Sequence, residues 1–180
     1  MLVLVGNALC LDFANTVNVR PNPTRDSLRE ASTAVEWAAA VAHRLELRDV
    51  TEGWMQNAVQ LREAITRSVE ARIAFRAPED GDLDVVWSGY RTGLAWARLA
   101  STSSGVALRW SDAGPDALLA RVSASAVEVL ANAPAERLGT CPSCRWLFLD
   151  TSRNGSRRWC SMKMCGAREK SRAHYRRIAG

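Results

Sequence analysis

The chain has 180 residues, of which 47% are hydrophobic and 24% charged, and its formal net charge is +5. No apolar run approaches the roughly 20 residues that cross a bilayer, which excludes a membrane-spanning protein. Residues 1–6 lack the positive n-region of a signal peptide, so we expect a cytoplasmic protein whose cysteines stay reduced.

The first two-thirds of the chain has the pattern of a mainly helical domain. Apolar residues spaced by three and four predict helices over residues 9–17, 33–47, 51–76, 83–94 and 115–132. Thr33 is the expected N-cap of the second helix, with Glu36 at the capping-box position. Between the last two helices, apolar residues 95–99 and 106–110 flank a polar loop, which predicts a small antiparallel β-hairpin.

Tryptophans are frequent in this domain, and we expect them to anchor its core rather than to line a ligand site. They are Trp37, Trp54, Trp87, Trp96 and Trp110. Cys10 lies in an apolar run and is expected to be a small buried hydrophobe.

Three polar residues gather on one face of the first predicted helix. Asp12, Asn15 and Thr16 either line a polar pocket for a small effector or act as capping and buried hydrogen-bond groups. No catalytic set and no phosphate-binding loop accompanies them, so we do not expect an enzyme.

The charge of the chain divides unevenly. Residues 1–140 hold 14 Arg, no Lys and 17 acids, a net charge of −3, whereas residues 141–180 hold 10 Arg plus Lys and two acids, a net charge of +8. A basic block beside a mildly acidic body is typical of a polyanion-binding segment attached to a separate domain. Residues 1–140 are numerous enough to fold alone, but a segment of forty residues needs an additional source of stability, such as a bound metal. We therefore predict two domains, residues 1–136 and 137–180.

Four cysteines can stabilise this segment by binding a metal. Cys141 and Cys144 form one close pair, and Cys160 and Cys165 form a second pair after a longer loop. Two thiolate pairs can provide the four corners of a tetrahedral site, and four Cys ligands leave no open position for chemistry. The spacing favours one structural zinc ion over a redox switch built from the same thiols.

Around the ligands, residues 146–150 are strand-like, residues 151–155 form a turn, and residues 157–159 lead back to the second pair. This segment is therefore expected to form a hairpin in the finger. Residues 166–178 have a helical pattern that begins at this pair. Together these elements predict an α+β fold. It comprises a mainly helical N-terminal domain with a small antiparallel β-hairpin, followed by a small treble-clef-like four-Cys zinc finger.

The basic residues of the finger are the candidates for nucleic-acid contacts, because Arg binds phosphates and also pairs with guanine edges. They are Arg153, Arg157, Arg158, Arg168, Lys170, Arg172, Arg176 and Arg177. Arg168, Arg172 and Arg176 recur at four-residue spacing, which places them on one face of the last helix. A second stripe on the same helix comprises Met164, Ala167, Ser171, His174 or Tyr175, and Ile178.

The sequence of the finger is similar to a known family. Cys141-Pro-Ser-Cys-Arg-Trp-Leu-Phe-Leu-Asp-Thr-Ser-Arg-Asn154, Arg157-Arg-Trp-Cys160 and Cys165-Gly-Ala-Arg168 resemble the bacterial CGNR-type zinc finger. Leu11-Asp-Phe-Ala-Asn-Thr16 resembles the start of the ABATE domain that precedes this finger. The resemblance implies a stress-related bacterial transcription regulator with the four cysteines as zinc ligands. Ala167 stands where the family has Asn, which removes a hydrogen-bonding side chain and alters any sequence preference that depends on it.

Three functions remain open at this point. The first is a regulator that binds duplex DNA, with an N-terminal domain that senses an effector or forms a homodimer. The second is an RNA- or ribosome-binding stress factor in which Trp146, Trp159 and Tyr175 stack on unpaired bases. The third is a protein-interaction adaptor that zinc merely stabilises. Exposed rings would favour the second, but we expect Trp146 to be buried against the last helix.

Overall fold

A computed structural model describes residues 3–41, 47, 49–110 and 114–179. The helices in chain order are α1 (Leu9–Ala14), α2 (Ala31–Val41), α3 (Glu52–Ile73), α4 (Asp80–Leu94), α5 (Pro115–Asn132) and α6 (Ala167–Ala179). The strands are β1 (Arg98–Thr102), β2 (Gly105–Arg109), β3 (Leu138–Thr140) and β4 (Leu147–Leu149). The fold is therefore α+β, as predicted. None of the helices in the described part of the chain is both long and apolar enough to cross a membrane.

The core lies between α1, α3, α4 and α5. The short helix α1 packs against α3 and α5, and its Leu11 and Phe13 are fully buried. The Phe13 ring meets Trp37 of α2 edge to face, with centroids 5.4 Å apart. Helix α3 begins where the Thr51 hydroxyl accepts a hydrogen bond from the Trp54 N–H. This cap satisfies one of the backbone donors that a helix start leaves open.

Two of the predicted helices have different bounds. Helix α2 begins at Ala31, and Thr33 is not its cap, because its hydroxyl donates to the carbonyls of Ser27 and Glu30. The predicted end of this helix near residue 47 falls mostly outside the described residues. Helix α1 ends at Ala14 rather than at residue 17, because the Asn15 side chain is engaged with the backbone of Leu147.

The tryptophan prediction is wrong for two residues. Trp37 and Trp54 are buried, and Trp110 is half-buried, but Trp87 and Trp96 are 52% and 49% exposed. Helix α4 turns Val86 toward the core, and the next residue along a helix points about 100° away. Trp87 therefore faces solvent.

The strands β1 and β2 form an antiparallel hairpin in which Leu99 pairs with Leu108. The first strand begins three residues later than predicted. Residues 95–97 instead close the end of α4, because their N–H groups donate to the carbonyls of Thr92, Gly93 and Leu94.

The second hairpin differs from the one expected in the finger. Strand β4 pairs with β3, with Leu138 opposite Leu149, and not with residues 157–159. Leu138 and Leu147 are buried in the same apolar cluster as α1, α3 and α5. Hydrophobic burial therefore joins this hairpin to the N-terminal core.

Candidate metal centre and nucleic-acid surface

The four predicted ligands lie together. The Sγ atoms of Cys141, Cys144, Cys160 and Cys165 are all within 4.8 Å of one another, and all four residues are buried. The Cys144–Cys160 and Cys160–Cys165 sulfur distances are both 3.5 Å. A disulfide needs about 2.05 Å, whereas four sulfurs held about 2.3 Å from one ion lie almost 4 Å apart. The geometry fits one structural zinc ion with four thiolate ligands.

The thiols already share protons without the metal. A hydrogen bond between Cys144 and Cys160 lowers the pKa of the Cys144 thiol to about 5 and raises the pKa of Cys160. Burial raises the pKa of Cys165. Zinc binding therefore displaces protons that the cluster still holds at neutral pH.

The first ligand pair is positioned by a tight backbone turn. The Cys141 N–H donates to the Trp146 carbonyl at 2.8 Å, and the Arg145 N–H donates to the Cys141 carbonyl at 2.9 Å. Arg145 has φ of 66°, a left-handed conformation that non-glycine residues adopt singly and not in runs. The turn reverses the chain so that Cys141 and Cys144 face one point.

The second pair leads into α6. Cys160 precedes a single π-helical turn, Met162–Gly166, and Cys165 lies within this turn just before α6 begins. A Cβ at Gly166 would lie 2.9 Å from the Met162 sulfur, so a larger residue would displace the exposed Met162 side chain. A zinc ion held by these two ligands would anchor the start of α6. His174 is exposed along this helix and is not part of the thiol cluster.

One of the predicted nucleic-acid contacts, Arg157, is half-buried and bonded within the chain. The Arg157 guanidinium donates to the carbonyls of Val5, Leu149, Trp159 and Cys160. It also lies 4.4 Å from the centroid of the Phe148 ring. All three of its nitrogens donate to carbonyls of the chain itself. Arg157 therefore joins the N-terminal segment to the metal centre.

The other predicted cations are exposed. Arg153, Arg158, Arg168 and Lys170 have no hydrogen-bond or ion-pair partner among the residues that the structure describes. Arg172 and Arg176 share one carboxylate, that of Glu169, at 3.6 Å and 3.0 Å. Arg177 donates through Nε to the Ala173 carbonyl of its own helix.

Helix α6 projects from the body. Its main described neighbour is the π-helical turn that precedes it. The second stripe of this helix is open to solvent, with Tyr175 70% and Ile178 69% exposed. Ala167 is exposed at the first position of the helix. The cations and the Ala167 position are therefore both accessible from outside.

The three candidate effector residues do not share one pocket. Asp12 accepts from the N–H groups of Val5 and Gly6 at 2.8 and 2.7 Å, and burial raises the pKa of its carboxyl. The Thr16 hydroxyl donates to the Phe13 carbonyl.

Asn15 is likewise bound within the chain. Its side chain both donates to and accepts from the Leu147 backbone, each at 2.8 Å. Asn15 and Thr16 border a cleft of about 880 Å³ that Asp12 does not line. The bonds that the three residues make favour the structural alternative.

Trp146 also differs from the prediction. It is half-buried, it packs against the cysteine cluster, and its indole N–H donates to the Val17 carbonyl of the N-terminal region. The Arg20 N–H donates to the Cys144 carbonyl. Both bonds tie the knuckle, which is the turn that carries Cys141 and Cys144, to the loop after α1.

A buried ion pair was missed from sequence. Arg62 is 4% exposed, and its guanidinium makes two bonds to the Asp26 carboxylate, at 2.6 and 2.9 Å. A signal was present, because position 62 lies four residues after Ala58 on the apolar face of α3. An Arg on such a face indicates a buried partner.

Comparison with known proteins agrees with these motifs. Residues 7–133 match the family model named ABATE, described as a putative stress-induced transcription regulator. Residues 137–178 match the model of the CGNR zinc finger. No curated protein matches the chain. The two matched models thus describe a regulator and a zinc finger.

Proposed function

The chain belongs to the ABATE family, and on this premise we propose that it is a transcription regulator that binds duplex DNA through its C-terminal zinc finger. One observation carries the proposal. A single projecting helix holds five cations and one acid, and it starts at the cysteine cluster. Cations that are exposed and mostly unpaired retain their charge for phosphates.

The dimensions of α6 suit a groove. Its 13 residues extend about 20 Å, and the major groove of B-DNA is about 12 Å wide. Arg168, Arg172 and Arg176 follow one face at four-residue spacing. Arg153 and Arg158, in the segment before the second ligand pair, add two exposed cations to the finger.

Zinc has a positioning role in this proposal. A helix as short as α6 is marginal by itself in water, and α6 gains little from packing. The two ligands just before it anchor its first turn to the knuckle. We expect bound zinc to hold the arginines at a fixed angle to the body.

The RNA-binding alternative loses support from ring burial. Trp146 and Trp159 are half-buried, and the Trp146 N–H is already bonded to the Val17 carbonyl. Of the three rings considered, Tyr175 alone is largely exposed. Stacking on unpaired bases needs open ring faces, so duplex DNA is the better partner.

A single finger reads few base pairs, so we propose that two chains bind paired half-sites. The β1–β2 hairpin offers a surface for this pairing. Leu99, Val106 and Leu108 share one face because alternate residues of a strand point the same way, and they are 74%, 70% and 39% exposed. The charged residues of the hairpin, Arg98 and Arg109, lie on its other face.

The test is binding of the zinc-loaded chain to duplex DNA and to single-stranded RNA across a salt series, followed by fluorescence anisotropy. Engagement of about five phosphates lowers duplex affinity by a few hundredfold between 50 and 200 mM salt. The same titration at high concentration gives the stoichiometry, for which we expect two chains per duplex. Preference for RNA would favour the second function, and no binding to either at low salt would leave the adaptor.

Charge variants sharpen this test. Arg168→Ala and Arg172→Ala should each weaken duplex binding and reduce the salt slope by about one. Arg91→Ala, which removes an exposed cation from α4, is the matched control and should leave both unchanged. If both finger variants bound duplex DNA as tightly as the unsubstituted chain, the proposal would be overturned.

A further inference from the structure

A cleft of about 530 Å³ lies between α3, α4 and α5, on a part of the molecule that the metal centre does not use. Leu61, Val85 and Leu119 supply apolar surface inside it. Its polar lining comprises Asn57, Gln60, Asp84, Ser88, Thr92 and Asp116. A volume in this range, with apolar walls and several polar groups between packed helices, is typical of a small-molecule site.

The polar groups of the cleft are not used by the chain. The carboxylates of Asp84 and Asp116 form no hydrogen bond or ion pair with any residue in the described ranges. Asp82, two residues before Asp84 in α4, shows the contrast, because it is buried and paired with Arg67. Both acids are exposed, so the cleft presents two carboxylates that no described basic side chain neutralises.

An aromatic ring borders the same space. Trp96 lines the cleft and is 49% exposed, although an indole is usually buried in a domain of this size. The face of a Trp ring attracts cations and also covers apolar ligand surface. A ring and two carboxylates around one cleft suit a positive charge carried on an apolar body.

A metal ion fits the cleft less well. Among the described residues, the cysteine cluster is the one group of potential ligand atoms close enough to hold an ion. Asp84 and Asp116 therefore belong to no group of three or more such residues that could hold an ion. An organic cation suits the cleft better, because its apolar part fills the space that a small ion leaves.

We infer that this cleft binds a small organic cation with an aromatic or apolar body, held by Trp96 and by the carboxylates of Asp84 and Asp116. It is the ligand site of the N-terminal domain. The inference does not depend on DNA binding.

Three probes that share one scaffold test the charge preference. Phenethylamine is a cation, 2-phenylethanol is neutral and phenylacetate is an anion. Each is titrated into the zinc-loaded full chain by ligand-observed NMR. We expect phenethylamine to bind with a dissociation constant on the order of 1 mM, the range for nine non-hydrogen atoms. The alcohol should bind roughly tenfold more weakly and the carboxylate more weakly still.

Variants assign the binding to this cleft. The double substitution Asp84→Asn and Asp116→Asn should bring the amine and the alcohol to within about twofold of each other, and Trp96→Leu should weaken both. Asp80→Asn, an exposed acid on α4 outside the cleft, and Trp87→Leu, an equally exposed ring, are the matched controls. Thermal melts confirm that every variant is folded.

Three results would overturn the inference. They are no binding of phenethylamine, equal binding of all three probes, and an amine preference that survives the double substitution. DNA affinity of the double variant is measured in parallel. Because neither Asp84 nor Asp116 lies near α6 in sequence, unchanged DNA binding would not bear on the cleft.

Discussion

The two halves of the metal centre are held in different ways. The knuckle half, with Cys141 and Cys144, lies on a hairpin whose Leu138 and Leu147 are buried in the core of the N-terminal helices. The helix half continues into α6, whose side chains are mostly exposed. Burial stabilises the first half, whereas the second half depends on the thiols that anchor its start.

This difference changes the picture of two independent domains. A forty-residue finger needs zinc as its main source of stability if it stands alone. Here part of the finger shares a core with the rest of the chain, and Asn15 bonds directly to β4. We therefore expect zinc to control α6 far more than it controls the knuckle.

Loss of zinc should have the largest effect. We expect Cys160→Ser to abolish stoichiometric zinc binding and to remove hydrogen-exchange protection from residues 160–179, because α6 loses its anchor. Strands β3 and β4 should stay protected, since the core holds them. The measurements are metal content by mass spectrometry and hydrogen exchange of the full chain.

Cys10→Ala is the control for this change. Cys10 is fully buried but lies outside the cluster, and burial raises the pKa of its thiol to about 12. The control should keep one zinc per chain. Equal loss of protection in β3, β4 and α6 of Cys160→Ser would break the comparison between the two halves.

A matched pair of apolar substitutions compares the halves directly. Leu147→Ala in β4 should lower the free energy of unfolding by about 2–5 kcal/mol, because it leaves a cavity in a fully packed site. Ile178→Ala in α6 should change it by less than about 0.5 kcal/mol, because that side chain is exposed. Urea unfolding of zinc-loaded protein measures both. Similar losses for the two variants would show that α6 packs on a surface in solution.

A pair of substitutions that each remove hydrogen bonds gives the smallest expected difference in the free energy of unfolding. Asn15→Ala leaves the N–H and carbonyl of Leu147 without their buried partner, at a cost of about 2 kcal/mol. Asn7→Gly removes a bond to the Leu149 carbonyl at an exposed position, and glycine suits the φ of 61° found there. We expect the control to cost about 0.5 kcal/mol in the same assay. Equal costs would mean that Asn15 does not tie the halves together.

Much of the helical framework follows from local pattern. Helix α3 begins within a residue of its predicted start because Thr51 caps it, and Pro115 opens α5 as expected. The errors arise where distant groups compete with local ones. Helix α1 stops early because Asn15 bonds to a residue 132 positions away. The predicted finger hairpin was wrong because β4 pairs with β3, which precedes the knuckle, and not with residues 157–159, which follow it.

The sequence by itself determined the metal ligands and the sign of the charge near them. Ligand type and close spacing are local properties, and a count of charged residues needs no coordinates. Only the tertiary structure decided which cations remain available. Arg157 and Arg158 are neighbours, yet Arg157 is turned inward by carbonyls that include one 152 positions away, while Arg158 stays in solvent. A guanidinium binds wherever unpaired carbonyls gather, and folding alone brings those carbonyls together.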